Sequence, residues 1–189
     1  MPMHEFSDQV RARLFTLLKE NAFFRERIIL SSGKESDYYL DARRVTLSSP
    51  GAYLGARVIL DVIGDQIPDA IGGPTLGADP LLGAIGVLCH QAGIPLKTFI
   101  IRKAPKAHGK RQQIEGPPLK AGSRVILIDD VATTGKALVE TIDILAREKI
   151  TPLKAVCLVD RGEGAREALA AKGCELVAVY DIAEFFKKD

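Results

Sequence analysis

The feature that most constrains the fold is a set of short segments that are apolar along nearly their whole length. They run, in chain order, over Asp69–Gly72, Lys97–Ile101, Arg124–Ile128, Lys154–Val159 and Glu175–Val179. Strands of this kind are typical of sheets covered on both faces, and helical connections between them require parallel pairing. The pattern therefore predicts an α/β fold with a doubly wound parallel sheet.

Apolar residues at helical spacing predict the segments between these strands. The expected helices cover residues from about Ser7 to Ala22, from Pro50 to Ile63, from Asp79 to Gln91, from Lys136 to Arg147 and from Glu163 to Lys172. Residues 28–44 mix turn formers with Tyr38, Tyr39 and Leu40, which predicts strands and loops but no helix. Residues 102–122 contain no periodic segment. No linker interrupts the chain, so residues 1–189 are expected to form one domain, to which residues 1–45 add an N-terminal helix and an appendage.

Composition narrows the possible partners. The 189 residues include 26 basic and 24 acidic side chains, a net charge of only +2, which predicts no nucleic-acid partner. No stretch approaches the roughly 18 apolar residues of a membrane span, so no membrane partner is expected. The three cysteines, Cys89, Cys157 and Cys174, are far apart in the sequence and are interpreted as reduced thiols of a cytoplasmic protein.

Two adjacent carboxylates, Asp129 and Asp130, follow the apolar strand Arg124–Ile128 and precede small and hydroxyl residues that lead into a helix. The N–H groups of residues 132–136 would be unpaired at the helix start, where the helix dipole also favours an anion. This predicts a phosphate site, and the carboxylates suit the hydroxyls of a ribose 5-phosphate. The alternative is structural, because an aspartate at a strand end and a threonine cap are common in α/β folds.

The aperiodic interval begins with a cationic stretch that has five Lys or Arg and one His among residues 102–111. A loop of this length in a compact domain is typical of a lid, so residues 102–118 are called the lid here. A solvated charge run or a nonspecific nucleic-acid patch is the alternative. Within a lid, His108 is a candidate acid.

Two more loops follow predicted strands. The glycine-rich segment Gly72–Pro80 leads into a helix and could hold a second phosphate, or it could be a plain tight turn. Arg161 follows the strand Lys154–Val159, where it could clamp a carboxylate in a bidentate manner or form a surface ion pair with Asp160 or Glu163.

Other chemistries lack their residues. Gly135-Lys136 has no glycine five positions earlier, as a P-loop requires, and no dinucleotide-binding glycine pattern follows a strand. No serine-hydrolase elbow or zinc-protease motif occurs, and the only histidines are His4, His90 and His108. These patterns argue against a hydrolase and a zinc enzyme.

Four segments resemble motifs of one family. VILIDDVATTG, residues 125–135, resembles the phosphoribosyl pyrophosphate signature of type I phosphoribosyltransferases. RKAPKAHG at 102–109, SSGKESDYYLDAR at 31–43 and LVDRGEG at 158–164 resemble the lid, the N-terminal hood and the orotate-site arginine loop of the orotate phosphoribosyltransferase family. Residues 31–43 are called the hood below. The resemblance implies the type I phosphoribosyltransferase fold with a small N-terminal hood, and it implies conversion of orotate and phosphoribosyl pyrophosphate to orotidine 5'-monophosphate and pyrophosphate in pyrimidine synthesis.

The resemblance also implies roles for individual residues. Catalysis would involve Lys106 and His108, which would reach into the partner's site of a homodimer, and Mg2+ would be the cofactor. The phosphoribosyl pyrophosphate ligands would be Arg102, Lys103, Lys106, His108, Asp129, Asp130, Val131, Ala132, Thr133, Thr134, Gly135, Lys136 and Ala137. Orotate would be held by Thr133 and Arg161, with the hood near Tyr38 and Tyr39 covering the base.

The chain departs from some family members at two places. Leu76-Gly77 stands where those members carry a Tyr-Lys pair in the pyrophosphate loop, and Ser31 stands in place of a hood lysine. Both changes remove positive charge near the expected ligands. A phosphoribosyltransferase for another base, and a regulator that senses phosphoribosyl pyrophosphate, are the alternative functions.

Overall fold

Helices and short strands alternate along the chain in a computed structural model, which describes residues 7–29, 35–65, 67–104 and 113–187. The N-terminal elements are α1 (Ser7–Asn21), β1 (Phe23–Phe24), β2 (Ile28–Ile29), β3 (Glu35–Ser36), β4 (Tyr39–Leu40), α2 (Arg43–Thr46) and α3 (Ser49–Ile63). The elements that follow are β5 (Ala70–Pro74), α4 (Asp79–Gln91), β6 (Lys97–Ile101), β7 (Ile114–Glu115), β8 (Val125–Ala132), α5 (Lys136–Arg147), β9 (Pro152–Asp160), α6 (Ala165–Ala170), β10 (Leu176–Asp181) and α7 (Ile182–Phe185).

One sheet contains the predicted strands, in the order β10-β9-β8-β5-β6-β7. The pairs from β10 through β6 are parallel, which confirms the doubly wound α/β fold. The edge strand β7 pairs antiparallel with β6, although its residues lie in the interval where no element was predicted. A two-residue strand is too short to give a periodic signal, so only its pairing partner defines it.

Both faces of the sheet are covered, as the uniformly apolar strands predict. Side chains alternate along β8: Ile126 and Ile128 pack into the core shared with α1, α3 and α4, whereas Val125 and Leu127 pack into the core shared with α5 and α6. This alternation follows from the two-residue repeat of a strand. None of the helices in the described ranges is long and apolar enough to cross a membrane.

The N-terminal region differs from its prediction in one element. Residues 28–44 contain β2, β3 and β4, as the turn-rich sequence suggested: β2 pairs antiparallel with β3, and β4 pairs antiparallel with the preceding strand β1. The single helical turn α2 begins at Arg43, however, where no helix was expected. Helix α2 has no side-chain cap, and its residues Val45 and Thr46 are buried. Tertiary packing rather than a local sequence pattern therefore defines this turn.

Candidate active site

A cleft of about 900 Å³ lies at the carboxyl end of the parallel sheet, beside the start of α5. It brings together predicted ligands from distant parts of the chain, namely Arg102, Lys103, Asp129 and all residues from Val131 to Ala137. Ligands of open α/β sheets bind in the crevice outside the carboxyl ends of the strands. Lys106, His108 and Ser31 fall outside the described residues, so their predicted roles remain predictions.

Residues 133–135 connect β8 to α5 and are called the phosphate loop here, after their predicted ligand. This loop ends at Gly135, which has a left-handed backbone with φ of +74°. A Cβ atom at this position would lie 2.8 Å from Cδ1 of Leu169 and 3.1 Å from Cα of Ala165, so glycine is required for packing as well as for the backbone. Helix α5 begins at Lys136, as predicted, and no side chain caps its N-terminus. The first N–H groups of a helix have no intrahelical partner, so those of α5 can receive an anion.

Asp129 and Asp130 lie inside strand β8, which continues to Ala132 rather than ending before the two acids. Both side chains are only 9% exposed. Oδ1 of Asp129 accepts the N–H of Asp130 at 3.0 Å, and Oδ1 of Asp130 accepts the N–H of Val131 at 2.8 Å. Burial raises the pKa of both carboxyls, and the neighbouring carboxylate raises the pKa of Asp129 further.

The loop from β5 to α4 packs directly over this carboxylate pair. A Cβ atom at Gly77 would overlap Oδ1 of both Asp129 and Asp130, so only glycine allows the approach. The next acid, Asp79, has a buried Oδ1 without a hydrogen-bond partner among the described residues, and burial raises its pKa. Leu76, which stands where some members of the resembled family carry a tyrosine, is exposed to solvent.

The hood contributes charges that the sequence motifs did not reveal. Nε of Arg43 lies 2.8 Å from Oδ1 of Asp41, and this hydrogen bond lowers the pKa of Asp41. The positive charge of Arg43 also opposes the rise in the pKa of Asp130. The only sequence signal for the pairing of Asp41 with Arg43 is that both residues lie in the hood motif.

Within the lid, Arg102 and Gln113 pair at a hairpin base. The N–H of Arg102 donates to the carbonyl of Gln113 at 2.9 Å, next to the paired strands β6 and β7. Nη1 of Arg102 lies 3.3 Å from Oε1 of Glu115. The cationic stretch therefore begins at a fixed point on the rim of the cleft.

Arg161 follows the last residue of β9 and is nearly buried, with a side chain that is 8% exposed. Its Nε lies 2.9 Å from Oε1 of Glu163 and donates to Oη of Tyr38 at 3.0 Å. Its guanidinium carbon lies 4.8 Å from the centre of the Tyr38 ring. The ion pair with Glu163 thus exists, but its arginine is covered by Tyr38 of the hood, and only Glu163 is partly exposed to solvent.

The Arg161 loop is held by a second arginine that the sequence did not single out. Nε of Arg166 donates to Oδ2 of buried Asp160 at 2.7 Å, and its Nη2 donates to Asp181 at 2.9 Å. The N–H of Gly162 donates to Oδ1 of Asp160 at 2.9 Å. Helix α6 begins at Ala165 rather than Glu163 because Gly164 has a positive φ, and it ends at Ala170, two residues before the predicted end.

Known proteins match both the sequence and this fold. A model of the phosphoribosyl transferase domain matches residues 55–186. The orotate phosphoribosyltransferase of Rhodopirellula baltica is 37% identical over 180 residues, which cover 92% of this chain and 93% of that protein. The chain belongs to the orotate phosphoribosyltransferase family.

Solved members of the orotate phosphoribosyltransferase family have the same architecture. The Mycobacterium tuberculosis enzyme in complex with Fe(III) dicitrate has a TM-score of 0.81 and 35% identity, covering 94% of this chain and 99% of that one. A structure of that enzyme with 5-phospho-alpha-D-ribosyl 1-diphosphate has a TM-score of 0.78 and 32% identity, covering 93% and 98%. The similarity includes the N-terminal region, which lies before the matched domain.

Proposed function

We propose that this protein transfers the ribose 5-phosphate group from phosphoribosyl pyrophosphate to orotate, giving orotidine 5'-monophosphate and pyrophosphate. The observation that carries the proposal is the single cleft shared by the N-terminus of α5, Asp129, Arg102 and Lys103. The cleft combines an anion-binding helix start, a hydroxyl acceptor and cationic groups. These match the 5-phosphate, the ribose hydroxyls and the pyrophosphate of phosphoribosyl pyrophosphate.

Each part of the substrate has a matching part of the site. Residues 131–137 would bind the 5-phosphate through backbone N–H groups, and Asp129 and Asp130 would accept the ribose hydroxyls. Arg102, Lys103, Lys106 and His108 would bind the pyrophosphate. Thr133 and Arg161 would hold orotate, whose carboxylate suits a guanidinium.

The chemistry needs positioning and charge neutralisation more than covalent help. As pyrophosphate leaves, positive charge develops on the ribose carbon and negative charge on the leaving group. Lid cations would stabilise the leaving group, with Lys106 and His108 as the catalytic residues, and closure would exclude water that competes with orotate. The hairpin base at Arg102 and Gln113 fixes the point at which the cationic stretch of the lid begins.

The donor set at the cleft fits Mg2+, since this ion prefers oxygen ligands and Asp129 supplies carboxylate oxygens there. The described ranges contain no group of three or more His, Cys, Asp or Glu residues arranged to hold a metal, so substrate oxygens and water would complete its shell. When bound, Mg2+ would neutralise charge on the pyrophosphate.

The functional unit in this proposal is a cytoplasmic homodimer with Lys106 and His108 acting in the partner's site. A mixing experiment tests the shared site: Lys106→Ala and Asp130→Ala each inactivate one half of it. Refolding the two variants together should restore activity that neither has alone, because the mixed dimer keeps one intact site. If the mixture stays inactive, Lys106 acts within its own subunit.

The proposed reaction is tested by the loss of orotate absorbance on mixing the protein with phosphoribosyl pyrophosphate and Mg2+, beside uracil, adenine, hypoxanthine and xanthine. Turnover of orotate alone is expected. Turnover of another base would move the function to a different phosphoribosyltransferase. Tight binding of phosphoribosyl pyrophosphate without any turnover would favour a sensor.

A further inference from the structure

The guanidinium of Arg161 is held along one edge only. Its Nε donates a hydrogen bond to Oη of Tyr38 at 3.0 Å and forms an ion pair with Oε1 of Glu163 at 2.9 Å. Its Nη1 and Nη2 make no hydrogen bond to any residue that the structure describes. A guanidinium carries five donors in a rigid plane, so fixing Nε also fixes the direction in which the two Nη groups point.

The backbone that carries Arg161 is also fixed. Its N–H donates to the carbonyl of Ala132 at 2.9 Å, which ties it to the end of β8. The preceding Asp160 is held by Arg166 and by the N–H of Gly162. What remains free is rotation of the side chain, and the contacts of Tyr38 and Glu163 with Nε remove that freedom.

Tyr38 is itself held in place by rings from both ends of the chain. Its ring centre lies 5.7 Å from that of Phe23 and 5.4 Å from that of Phe186, the latter edge-on. Glu163 lies between Gly162 and Gly164, and its side chain is 34% exposed. Glu163 is thus the accessible half of the clamp on Nε.

From this geometry we infer that Glu163 is a positioning residue for orotate, orienting Arg161 so that its Nη edge meets the carboxylate of the base. The inference rests on the proposed function. In this arrangement the preference for a carboxylated base depends on Glu163, a residue that does not itself contact the base. A neutral base gains nothing from the oriented edge, because it offers no carboxylate to the two donors.

Glu163→Ala and Glu163→Gln separate orientation from charge. The alanine variant loses the carboxylate beside Nε, so KM for orotate should rise about tenfold, as expected when one charge-assisted contact is lost. KM for phosphoribosyl pyrophosphate should not change. Glu163→Gln keeps an oxygen beside Nε without the charge and should restore most of the orotate affinity. Tyr38→Phe keeps the ring, loses the hydroxyl that accepts from Nε and should raise KM for orotate in the same direction.

Glu167→Ala is the matched control, because it removes the same charge from an exposed position of α6. It should leave both KM values unchanged. A fall in KM for orotate in both Glu163 variants would overturn the inference, since it would mean that Glu163 acts by repelling the anionic substrate. Equal changes in both KM values together with a lower Tm would also overturn it, because they would indicate a purely structural role.

Arg161→Ala distinguishes this inference from the proposed function. A wild-type protein that does not use orotate contradicts the function itself. A wild type that uses orotate, a defective Arg161→Ala and a normal Glu163→Ala would leave the function intact and contradict only the positioning role.

Discussion

At Asp129 and Asp130, two carboxylates are buried next to each other in the middle of a sheet. Burial raises the pKa of both groups, so the folded protein holds protons on this pair more tightly than the unfolded chain does. The sign follows from linkage: the free energy of unfolding falls as pH rises from the ordinary carboxyl pKa towards the raised one. Near neutral pH the pair therefore destabilises the fold, which is the cost of the hydroxyl-binding role that we propose for it.

Asp129→Asn should consequently stabilise the protein while abolishing transfer. The amide oxygen can still accept the N–H of Asp130, and the buried charge is gone. At pH 7 we expect Tm to rise by about 3 °C, measured by thermal unfolding, with a smaller gain at pH 4. Asp37→Asn, which changes an exposed hood residue, is the control. A gain that is the same at both pH values would show that ionisation of the pair is not the cause.

A second prediction at this scale concerns Arg161. Arg161→Ala should weaken use of orotate by about 2 to 4 kcal/mol in kcat/KM, because a charge-assisted bidentate pair is lost. Steady-state kinetics with each substrate varied in turn measures this loss, and KM for phosphoribosyl pyrophosphate should stay close to wild type. Arg13→Ala, an exposed change on α1, provides the control. Unaltered orotate kinetics in Arg161→Ala would mean that the arginine serves only the hood.

At the scale of an element, helix α5 depends on the turn before it. Gly135 has φ of +74° and lies against Leu169 and Ala165 of α6, so one glycine sets both the start of α5 and the spacing between two helices. The phosphate loop inherits its shape from that packing. Its geometry is thus supported from behind, by residues that never meet the ligand.

Gly135→Ala should lower the free energy of unfolding by about 2 kcal/mol, from backbone strain plus the overlap with Leu169. It should also weaken binding of phosphoribosyl pyrophosphate, since the N-terminus of α5 must shift. Urea unfolding and isothermal titration calorimetry measure the two effects. Gly83→Ala makes the same substitution within α4, where a Cβ meets nothing within 4 Å, and should stabilise the protein by up to about 1 kcal/mol. Equal behaviour of the two variants would contradict the packing argument.

At the scale of the whole molecule, aromatic rings join the two ends of the chain. Phe185 of α7 is fully buried, with its ring centre 4.8 Å from that of Phe15 in α1 and 5.4 Å from that of Phe23. The same group of rings reaches Tyr38 through Phe186. The hood, the first helix and the last helix therefore form one packed unit above the edge of the sheet.

Phe185→Ala should cost about 3 to 5 kcal/mol of unfolding free energy, the range for removing a buried phenylalanine. Because the cluster joins both termini, unfolding followed by far-UV circular dichroism and by the near-UV tyrosine signal should shift together in urea. An early, separate loss of one signal would mean that the N-terminal region folds independently of the sheet.

Patterns that depend on near neighbours were readable in the sequence. The helices Asp79–Gln91 and Lys136–Arg147 and the strand Lys97–Ile101 were predicted with the bounds that the structure has, because spacing of apolar residues is a local property. The start of α5 at Lys136 was predicted for the same reason, since the acids, small residues and helix start are adjacent in the chain, and the binding of phosphate there stays a prediction. The edge strand β7 and the turn α2 were missed, as each is defined by what it packs against.

The sequence by itself determined the class of fold and which segments lie around the cleft, because strand period, helix period and motif are written in consecutive residues. Only the tertiary structure decided how the charges are paired. The fold buries Asp129 and Asp130 next to Gly77 and places the positive charge of Arg43 where it opposes the rise in the pKa of Asp130. It also holds Arg161 in contact with Tyr38 and Glu163. Electrostatic energies depend on distance and burial in space, and residues 123 positions apart, such as Tyr38 and Arg161, have no local signal that they meet.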